Sequence, residues 1–146
     1  MPADDHARRN TLPRSLRLKR QRLIRALFDR DQSEVRSVRS GGLVVRYRLA
    51  PHDDVGQRVP LQAGFTTGRQ IGSKPVRNRI KRVMREHFRV HRHALSDLFA
   101  SRPNTLTLMF LYRGKPDGAA GAIARDLPAA LRKIEGAFAH ADAPAE

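Results

Sequence analysis

Hydrophobic side chains recur along this chain with two different periods, and each period predicts one type of element. Within residues 15–29 they are spaced as on one face of a helix, or of a loop that leads into one. The stripe consists of Leu23, Ile24, Leu27 and Phe28. From Leu43 to Leu49 the odd positions are apolar or aromatic, and Arg46 and Arg48 point the other way, so this segment is predicted to be a strand with one buried face.

The strand pattern continues in the middle of the chain. A polar stretch over residues 51–60 separates the first strand from a second one over residues 61–67, which favours a hairpin between them. One additional short strand is allowed for within residues 61–72, which end in a glycine-bearing turn.

Two apolar segments follow in the C-terminal part. Residues 105–112 are almost continuously apolar, and their short length predicts a buried central strand rather than a helix. Apolar residues then recur at helical spacing from Ile123 to Phe138. Because proline favours the first turn of a helix, Pro128 indicates that this last helix begins near Leu127.

Residues 74–89 combine a helical apolar repeat with more cations than solubility requires. Pro75 suits an early position in such a helix. At ~100° per residue, one arc consists of Val76, Ile80, Val83, Met84, His87, Val90 and His91. The opposite arc consists of Arg77, Asn78, Lys81, Arg82, Arg85, Arg89 and Arg92, with Arg79 at the boundary. Because Glu86 is the only acid in this stretch, we expect a partner outside the chain to neutralise the charged arc.

The predicted elements indicate a single small α+β domain. Helix, strand, strand, helix, strand and helix follow one another, which is typical of a small sheet with helices packed on it. The 146 residues suffice for one domain with a sizeable core. We expect flexible tails over residues 1–12 and 140–146 on either side of a folded domain over residues 13–139.

The charge balance narrows the class of partner. Lys and Arg total 29 against 14 acids, which gives a formal net charge of +15. Such a balance implies a polyanion, with nucleic acid first and an anionic membrane surface second. Arginine predominates among the cations, and its planar fork binds phosphates and stacks on bases, which favours nucleic acid.

Several other classes of protein are disfavoured. The chain has no cysteine, which rules out disulfides and thiol chemistry and suits the reducing cytoplasm. No run of residues approaches the ~18 apolar residues of a transmembrane helix. No apolar segment follows the N-terminal charges, as it would in a secretory signal. We therefore expect a cytoplasmic protein that does not bind a membrane.

The sequence shows no motif for catalysis or for nucleotide binding. Gly72-Ser73-Lys74 lacks the spacing and the residue order of a phosphate-binding loop. His87 and His91 lie on the apolar arc without a suitably placed acid, which favours core-edge histidines over metal ligands. We find neither a defensible pair of acids nor a nucleophile motif. The sequence thus indicates a binding protein rather than a hydrolase.

An RNA partner would suit both the basic helix and two aromatic residues. Arginines or lysines at positions i, i+4 and i+8 advance by ~6 Å per step along a helix, close to the spacing of phosphates along a strand. Phe28 and Tyr47 are candidates for stacking on unpaired bases. Plain core packing is the equally weighted alternative for each of them.

Arg77-Asn78-Arg79-Ile80-Lys81-Arg82 resembles the Arg-Asn-Arg signature of the bacterial ribonuclease P protein subunit family. The similarity covers roughly residues 12–138. Residues 16–28 resemble the first helix of the family, residues 64–72 resemble the strand and turn before the signature helix, and residues 85–89 resemble the continuation of that helix.

This resemblance implies a fold and a function. The fold is α-β-β-β-α-β-α with a central mixed sheet, in which the basic helix forms a left-handed β-α-β crossover. The function is that of the accessory protein of ribonuclease P, the endoribonuclease that removes the 5′ leader of precursor tRNA. The RNA subunit is expected to perform the hydrolysis with Mg²⁺ that it mainly holds itself. The implied partners are this catalytic RNA, with one protein per RNA, and precursor tRNA.

The resemblance also implies two sets of binding residues, and no catalytic or metal-binding ones. The catalytic RNA is expected to contact Arg77, Asn78, Arg79, Lys81, Arg82, Arg85 and Arg69. The leader is expected in a cleft between the first helix and the sheet, at Ile24, Phe28, Val45, Tyr47 and Thr66. Ile24 stands where the family commonly has an aromatic residue, and Gly68-Arg69-Gln70 stands where it commonly has Ser-Lys-Lys. One stacking surface is therefore absent or weaker, and one cation is missing.

Two other functions fit the same charge. A structural or chaperone-like RNA-binding protein without an enzyme role would use the same basic helix. A transcription factor would insert that helix into the major groove of DNA, but only Asn78 on its charged arc is suited to reading bases.

Overall fold

A four-stranded mixed sheet organises the protein, and the computed structural model describes residues 11–29, 31 and 34–141. The strands are β1 (Arg36–Ser40), β2 (Leu43–Pro51), β3 (Leu61–Thr67) and β4 (Asn104–Tyr112). They lie in the order β1-β2-β4-β3. The pairs β1–β2 and β2–β4 are antiparallel, and the pair β3–β4 is parallel.

Five α-helices and one short 3₁₀ helix accompany this sheet in the part of the chain that the structure describes. They are the 3₁₀ helix Arg14–Leu16, α1 (Gln21–Phe28), α2 (His52–Val55), α3 (Lys74–His91), α4 (His93–Phe99) and α5 (Ala119–Ala141). With the one-turn α2 and the short α4 set aside, the elements follow one another as α-β-β-β-α-β-α. The predicted α+β class is confirmed.

The central strand β4 pairs with β2 on one side and with β3 on the other. All of its residues except Asn104 and Leu111 are buried. A strand whose two faces are both covered has no reason to alternate polar with apolar residues. The buried central strand predicted for residues 105–112 is therefore confirmed.

The predicted hairpin across residues 51–60 is wrong, because β4 lies between β2 and β3. Residues 52–55 form the single turn of α2 instead of a loop between paired strands. The hairpin partner of β2 is β1, and the tight connection between them is Gly41-Gly42. Gly41 has a φ of 58°, a conformation that a side chain would disfavour. The additional strand allowed for within residues 61–72 is also wrong, because only β3 lies there and the fourth strand of the sheet is β1, earlier in the chain.

The two faces of the sheet are covered to different extents. We call the face against which α3 and α5 pack the covered face, and the other one the α1 face. On the covered face the rings of Phe65 and Phe110 stack with centroids 5.3 Å apart, and Phe88 of α3 meets Phe110 edge-on at 5.4 Å. On the α1 face Leu23 and Leu27 join a smaller cluster with Met109.

The basic helix α3 connects the parallel strands β3 and β4 and buries Ile80, Met84 and Phe88. The predicted apolar arc is only partly correct, because Val90 is 49% exposed and His91 is exposed as well. The sheet packs against the side of the helix on which Phe88 lies, so the buried residues are spaced at i, i+4. The end of the predicted arc, Val90 and His91, is therefore exposed. The hand of the β3-α3-β4 crossover stays a prediction.

The last helix begins earlier than predicted, at Ala119 rather than near Leu127, and Pro128 lies inside it. Proline removes one backbone hydrogen bond and costs about 3 kcal/mol in a helix interior. Here Ile123 and Leu127, one turn apart before the proline, are fully buried. Their packing against the sheet outweighs that cost, so the helix continues through Pro128.

The segment before α1 lies along the outer edge of β3. The backbone N–H of Leu18 donates to the carbonyl of Ala63 at 2.9 Å, and Gln62 Nε2 donates to the carbonyl of Ser15 at 3.0 Å. Leu12 is 1% exposed, so the core extends into the range assigned to the N-terminal tail. Residues 1–10 and 142–146 of the two predicted tails lie outside the described residues.

The orientation of α3 can be tested through its stability. We expect Phe88→Ala to lower the free energy of unfolding by about 3–5 kcal/mol, because it leaves a cavity between the helix and the sheet. Val90→Ala serves as the matched control and should change it by less than about 0.5 kcal/mol. Urea denaturation measures both. Equal losses for the two variants would contradict the orientation described above.

Candidate nucleic-acid interface

The cations of α3 form two rows that differ in their surroundings. Arg79 and Arg82 are exposed, as is Asn78. The second row is half-buried and consists of Arg77, Lys81 and Arg85. Arg69, which the resemblance assigns to the same interface, is exposed in the loop before α3. All the residues predicted to contact the catalytic RNA therefore lie on α3 or directly before it.

The first turn of α3 adds to the positive potential. Pro75 lies at the start of the helix, as predicted, and Ser73 at the N-cap makes no capping hydrogen bond with its side chain. Arg77 Nη1 donates to the carbonyl of Gly72 at 2.9 Å, which holds the guanidinium over this turn. Cations at a helix N-terminus reinforce the positive end of the helix dipole instead of opposing it. This end of α3 is thus suited to an anion.

Arg85 lies where three cationic side chains crowd together. Its guanidinium carbon is 5.8 Å from the ring centroid of Phe65, a cation–π distance. Burial lowers the pKa of Arg85, and the charges of Arg17 and Arg82 lower it further. Sequence reasoning missed Arg17. The edge pairing of its segment with β3 brings it to this position, and the sequence carries no signal of that pairing.

Within α3 only one acid opposes this charge. Glu86 accepts a hydrogen bond from Arg89 Nε at 3.1 Å, and this bond is the main reason why the pKa of Glu86 is lowered. Among the residues that the structure describes, no carboxylate lies within ion-pair distance of Arg79 or Arg82. The exposed row of cations is therefore available to an external polyanion.

Two residues predicted to line the leader cleft are buried on the other face of the sheet. Val45 is 0% and Tyr47 is 4% exposed. The ring of Tyr47 meets that of Phe138 of α5 edge-on at 5.7 Å, and burial raises the pKa of its hydroxyl. Assigning Val45 and Tyr47 to the cleft is therefore wrong, because odd-numbered positions of β2 point to the covered face.

The other three predicted cleft residues lie on the α1 face or on α1 itself. Thr66 is half-buried, on the α1 face of β3. Ile24 packs against the small cluster beneath α1. Phe28, the last residue of α1, is 42% exposed. Only these three remain as candidates for a cleft.

A strip of the α1 face that α1 does not cover was missed by the sequence reasoning. Thr66, Leu111, Val44 and Arg39 lie side by side across the four strands, and we call them the open strip. Next to it, Arg46 Nη1 donates to the carbonyl of Leu27 at 3.2 Å and so holds the end of α1. The alternation along β2 was a sufficient signal, because it places Val44 and Arg46 opposite to Tyr47.

The histidines of α3 do not form a metal site with acids. The rings of His87 and His91 stack with centroids 6.1 Å apart. His87 is half-buried, as expected of a core-edge residue, whereas His91 is exposed and was wrongly placed there. No group of three or more histidines and acids that could hold a metal ion occurs within the described ranges. Nor does any helix in those ranges have the length and apolar character to cross a membrane.

Comparison with known proteins identifies similar sequences and folds. A family model described as Ribonuclease P matches residues 12–134. The Ribonuclease P protein component of Chlorobaculum tepidum is 30% identical over 115 residues, which are 75% of this chain and 72% of that protein. The Ribonuclease P protein component of Streptomyces bikiniensis is 34% identical over 98 residues, which are 64% of this chain and 74% of that protein.

A solved structure shows the same fold. The RNase P protein of Staphylococcus aureus superimposes with a TM-score of 0.59 at 20% sequence identity, over 82% of this chain and 95% of that one. At this identity the likeness concerns the fold alone. The family model and the sequence relatives therefore identify the family, and the solved structure shows that the fold is shared.

Proposed function

The chain belongs to the ribonuclease P protein family, and we propose that it is the protein subunit of ribonuclease P, binding the catalytic RNA and the 5′ leader of precursor tRNA. In this proposal the protein assists the endonucleolytic 5′ maturation of tRNA in the cytoplasm, with one protein per RNA. The RNA subunit performs the phosphodiester hydrolysis. The observation that carries the proposal is the uncompensated row of cations along α3, on the helix with the Arg-Asn-Arg signature.

The exposed row and the half-buried row of α3 suit different tasks in RNA binding. Arg79 and Arg82 project into solvent, where a folded RNA reaches them without any change in the protein. Arg85 is held between Phe65 and the neighbouring cations. A phosphate placed beside it would relieve the repulsion from Arg17, which supports a contact at the junction of α3 and the segment before α1.

The open strip supports a site for the single-stranded leader. Its centre is apolar at Val44 and Leu111, it ends in the cation Arg39 on β1, and Phe28 at the end of α1 has an exposed ring. Proteins bind single strands by stacking bases on aromatic rings while cations follow the backbone. The leader thus lies on the α1 face, with Thr66, Phe28 and Ile24 from the original set and with Val44 in place of Val45.

In this proposal the protein positions the catalytic RNA and the precursor tRNA, and the RNA subunit performs the chemistry. Cleavage requires two polyanions to approach each other, and the cations of α3 reduce the repulsion between their phosphates. We propose that the Mg²⁺ ions needed for hydrolysis are held mainly by the RNA subunit. The protein's residues are assigned no step in bond breaking.

Reconstitution tests the proposed function. Adding the protein to a bacterial ribonuclease P RNA at low Mg²⁺ should restore cleavage of precursor tRNA at the 5′ end of the mature sequence. The complex should also bind precursor tRNA more tightly than mature tRNA. An RNA-binding protein without an enzyme role would bind the RNA but would neither rescue cleavage nor distinguish the two substrates.

Contacts between α3 and phosphates should appear in the salt dependence of RNA binding. We expect Arg82→Gln, and separately Arg79→Gln, to weaken binding of the catalytic RNA roughly three- to tenfold and to lower the slope of log K against log salt by about 0.7–0.9. Arg132→Gln, an exposed arginine of α5 on the covered side of the sheet, is the matched control. An unchanged slope for both α3 variants would exclude direct phosphate contacts there.

The position of the leader can be tested with two aromatic residues. We expect Phe28→Ala to reduce the preference for precursor over mature tRNA roughly five- to tenfold or more, since stacking of one base contributes about 1–3 kcal/mol. Tyr47→Phe should leave that preference unchanged because Tyr47 is buried on the covered face. Equilibrium binding of both tRNAs to the reconstituted enzyme measures this. An equal loss for both tRNAs on Phe28→Ala would place Phe28 outside the leader site.

A further inference from the structure

A pocket beside α1 lies on the flank of this helix that faces away from the open strip. In a helix with 3.6 residues per turn, Leu23 and Leu27 point to the sheet, and the positions of Ile24 and Phe28 form one flank. Arg22 and Ala26 lie on the opposite flank. There a pocket of about 290 Å³ opens between α1, β2 and α2, and it is lined by Arg22, Leu23, Arg25, Ala26, Asp29, Arg48 and Asp54.

Arg48 makes an ion pair but no side-chain hydrogen bond within the part of the chain that the structure describes. Its side chain is 14% exposed, and its Nε lies 3.5 Å from Oε2 of Glu34, which does not line the pocket. Among the described residues, Nε and Nη1 are buried without a hydrogen-bond partner. A buried donor that makes no hydrogen bond lowers the stability of the fold, and more so when the group is charged. Because Arg48 also lines the pocket, an anion bound there would give its guanidinium a second charged partner.

The other two arginines of the pocket are available for the same anion. Arg25 is exposed and has no ion pair or hydrogen bond to any residue in the described ranges. Arg22 Nη2 makes only a long ion pair with Asp54, at 4.0 Å. Three planar guanidinium groups thus border one small space, and such groups bind phosphate oxygens in pairs.

The charge of the lining indicates the class of ligand. Three arginines and two aspartates line the pocket, which leaves one net positive charge, and Glu34 beside Arg48 offsets part of it. One positive charge matches a phosphodiester, which carries a single negative charge, better than a terminal phosphate with nearly two. The two aspartates would repel the second charge.

We propose that this pocket binds one phosphodiester group of the single-stranded RNA that occupies the open strip, at a point further along the strand. The inference rests on the proposed function, since that strand is the 5′ leader. A helix with its side chains is ~10–12 Å across, so a short stretch of strand crosses from the flank with Phe28 to the flank with Arg22. Arg25 lies on the crest between them and meets the backbone on the way.

The test uses the full-length protein reconstituted with catalytic RNA. Precursor tRNAs with leaders of stepwise length each carry one neutral methylphosphonate, moved along the leader one position at a time. With the unaltered protein, binding should weaken roughly three- to tenfold when the methylphosphonate replaces one particular phosphate, which lies beyond the leader segment on the open strip. With Arg25→Gln or Arg48→Gln that sensitivity should disappear, and leaders too short to reach the pocket should bind as before. Arg132→Gln is the matched control.

The outcomes separate the pocket from the proposed function. If precursor is preferred over mature tRNA but Arg25→Gln keeps the full methylphosphonate effect, the pocket does not bind the leader and the proposed function stands. If no preference for precursor exists in any protein, both proposals fail. Arg25→Gln is the deciding variant, because the side chain of Arg25 is exposed and replacing it leaves the core intact. Arg48→Gln alters a mostly buried group, so its unfolding free energy is measured in parallel.

Discussion

The parallel pairing of β3 with β4 is the constraint on which the rest of the structure depends. Two adjacent parallel strands cannot be joined by a tight turn, so the chain has to cross from the end of one to the start of the other. Here α3 makes most of that crossing and packs on the sheet through Ile80, Met84 and Phe88. Its remaining circumference is therefore held rigidly with respect to the sheet, and the arginines of the signature stand on it.

The cations of α3 oppose the stability of the fold, so their presence has to be explained by what they bind. Arg85 shows this most directly, because burial and the neighbouring charges of Arg17 and Arg82 all disfavour its charged form. The ring of Phe65 offsets part of that repulsion. The aromatic core beneath α3, in which Phe65, Phe88 and Phe110 contact one another, holds the helix on the sheet despite the remaining repulsion between its cations. A polyanion bound to α3 would release the stored repulsion and gain affinity from it.

Elements with one clear period could be predicted from the sequence, whereas the pairing of strands could not. The almost continuously apolar segment of β4 has to be buried, and the helical spacing of the apolar residues in α3 predicts that helix. By contrast, β1 (Arg36–Ser40) has a single apolar residue, Val38, and owes its structure to pairing with β2. The partner of β3 lies beyond α3 in the chain, and nothing local in residues 51–60 distinguishes a hairpin turn from the single turn of α2.

The candidate site shows where a resemblance and a physical rule disagree. The resemblance placed Val45 and Tyr47 in the leader cleft, whereas the alternation along β2 had already assigned both to the buried side. Had the alternation been given priority, Val44 and Arg46 would have been placed beside the cleft. The seven positions assigned to the catalytic RNA fare better, since none of them is buried and all lie on α3 or directly before it.

The open strip exists because α1 is too short to cover the strands beneath it. Its eight residues span ~12 Å, whereas the nine residues of β2 span ~30 Å. The chain leaves the helical conformation at Asp29, with φ −81° and ψ 113°, and the Asp29 carboxylate accepts the backbone N–H of Asp31 at 2.9 Å. This turn ends the helix where Arg46 binds the carbonyl of Leu27. The same few residues thus fix the end of α1, leave Phe28 exposed beside the strip and set the distance between the strip and the arginine pocket on the other flank.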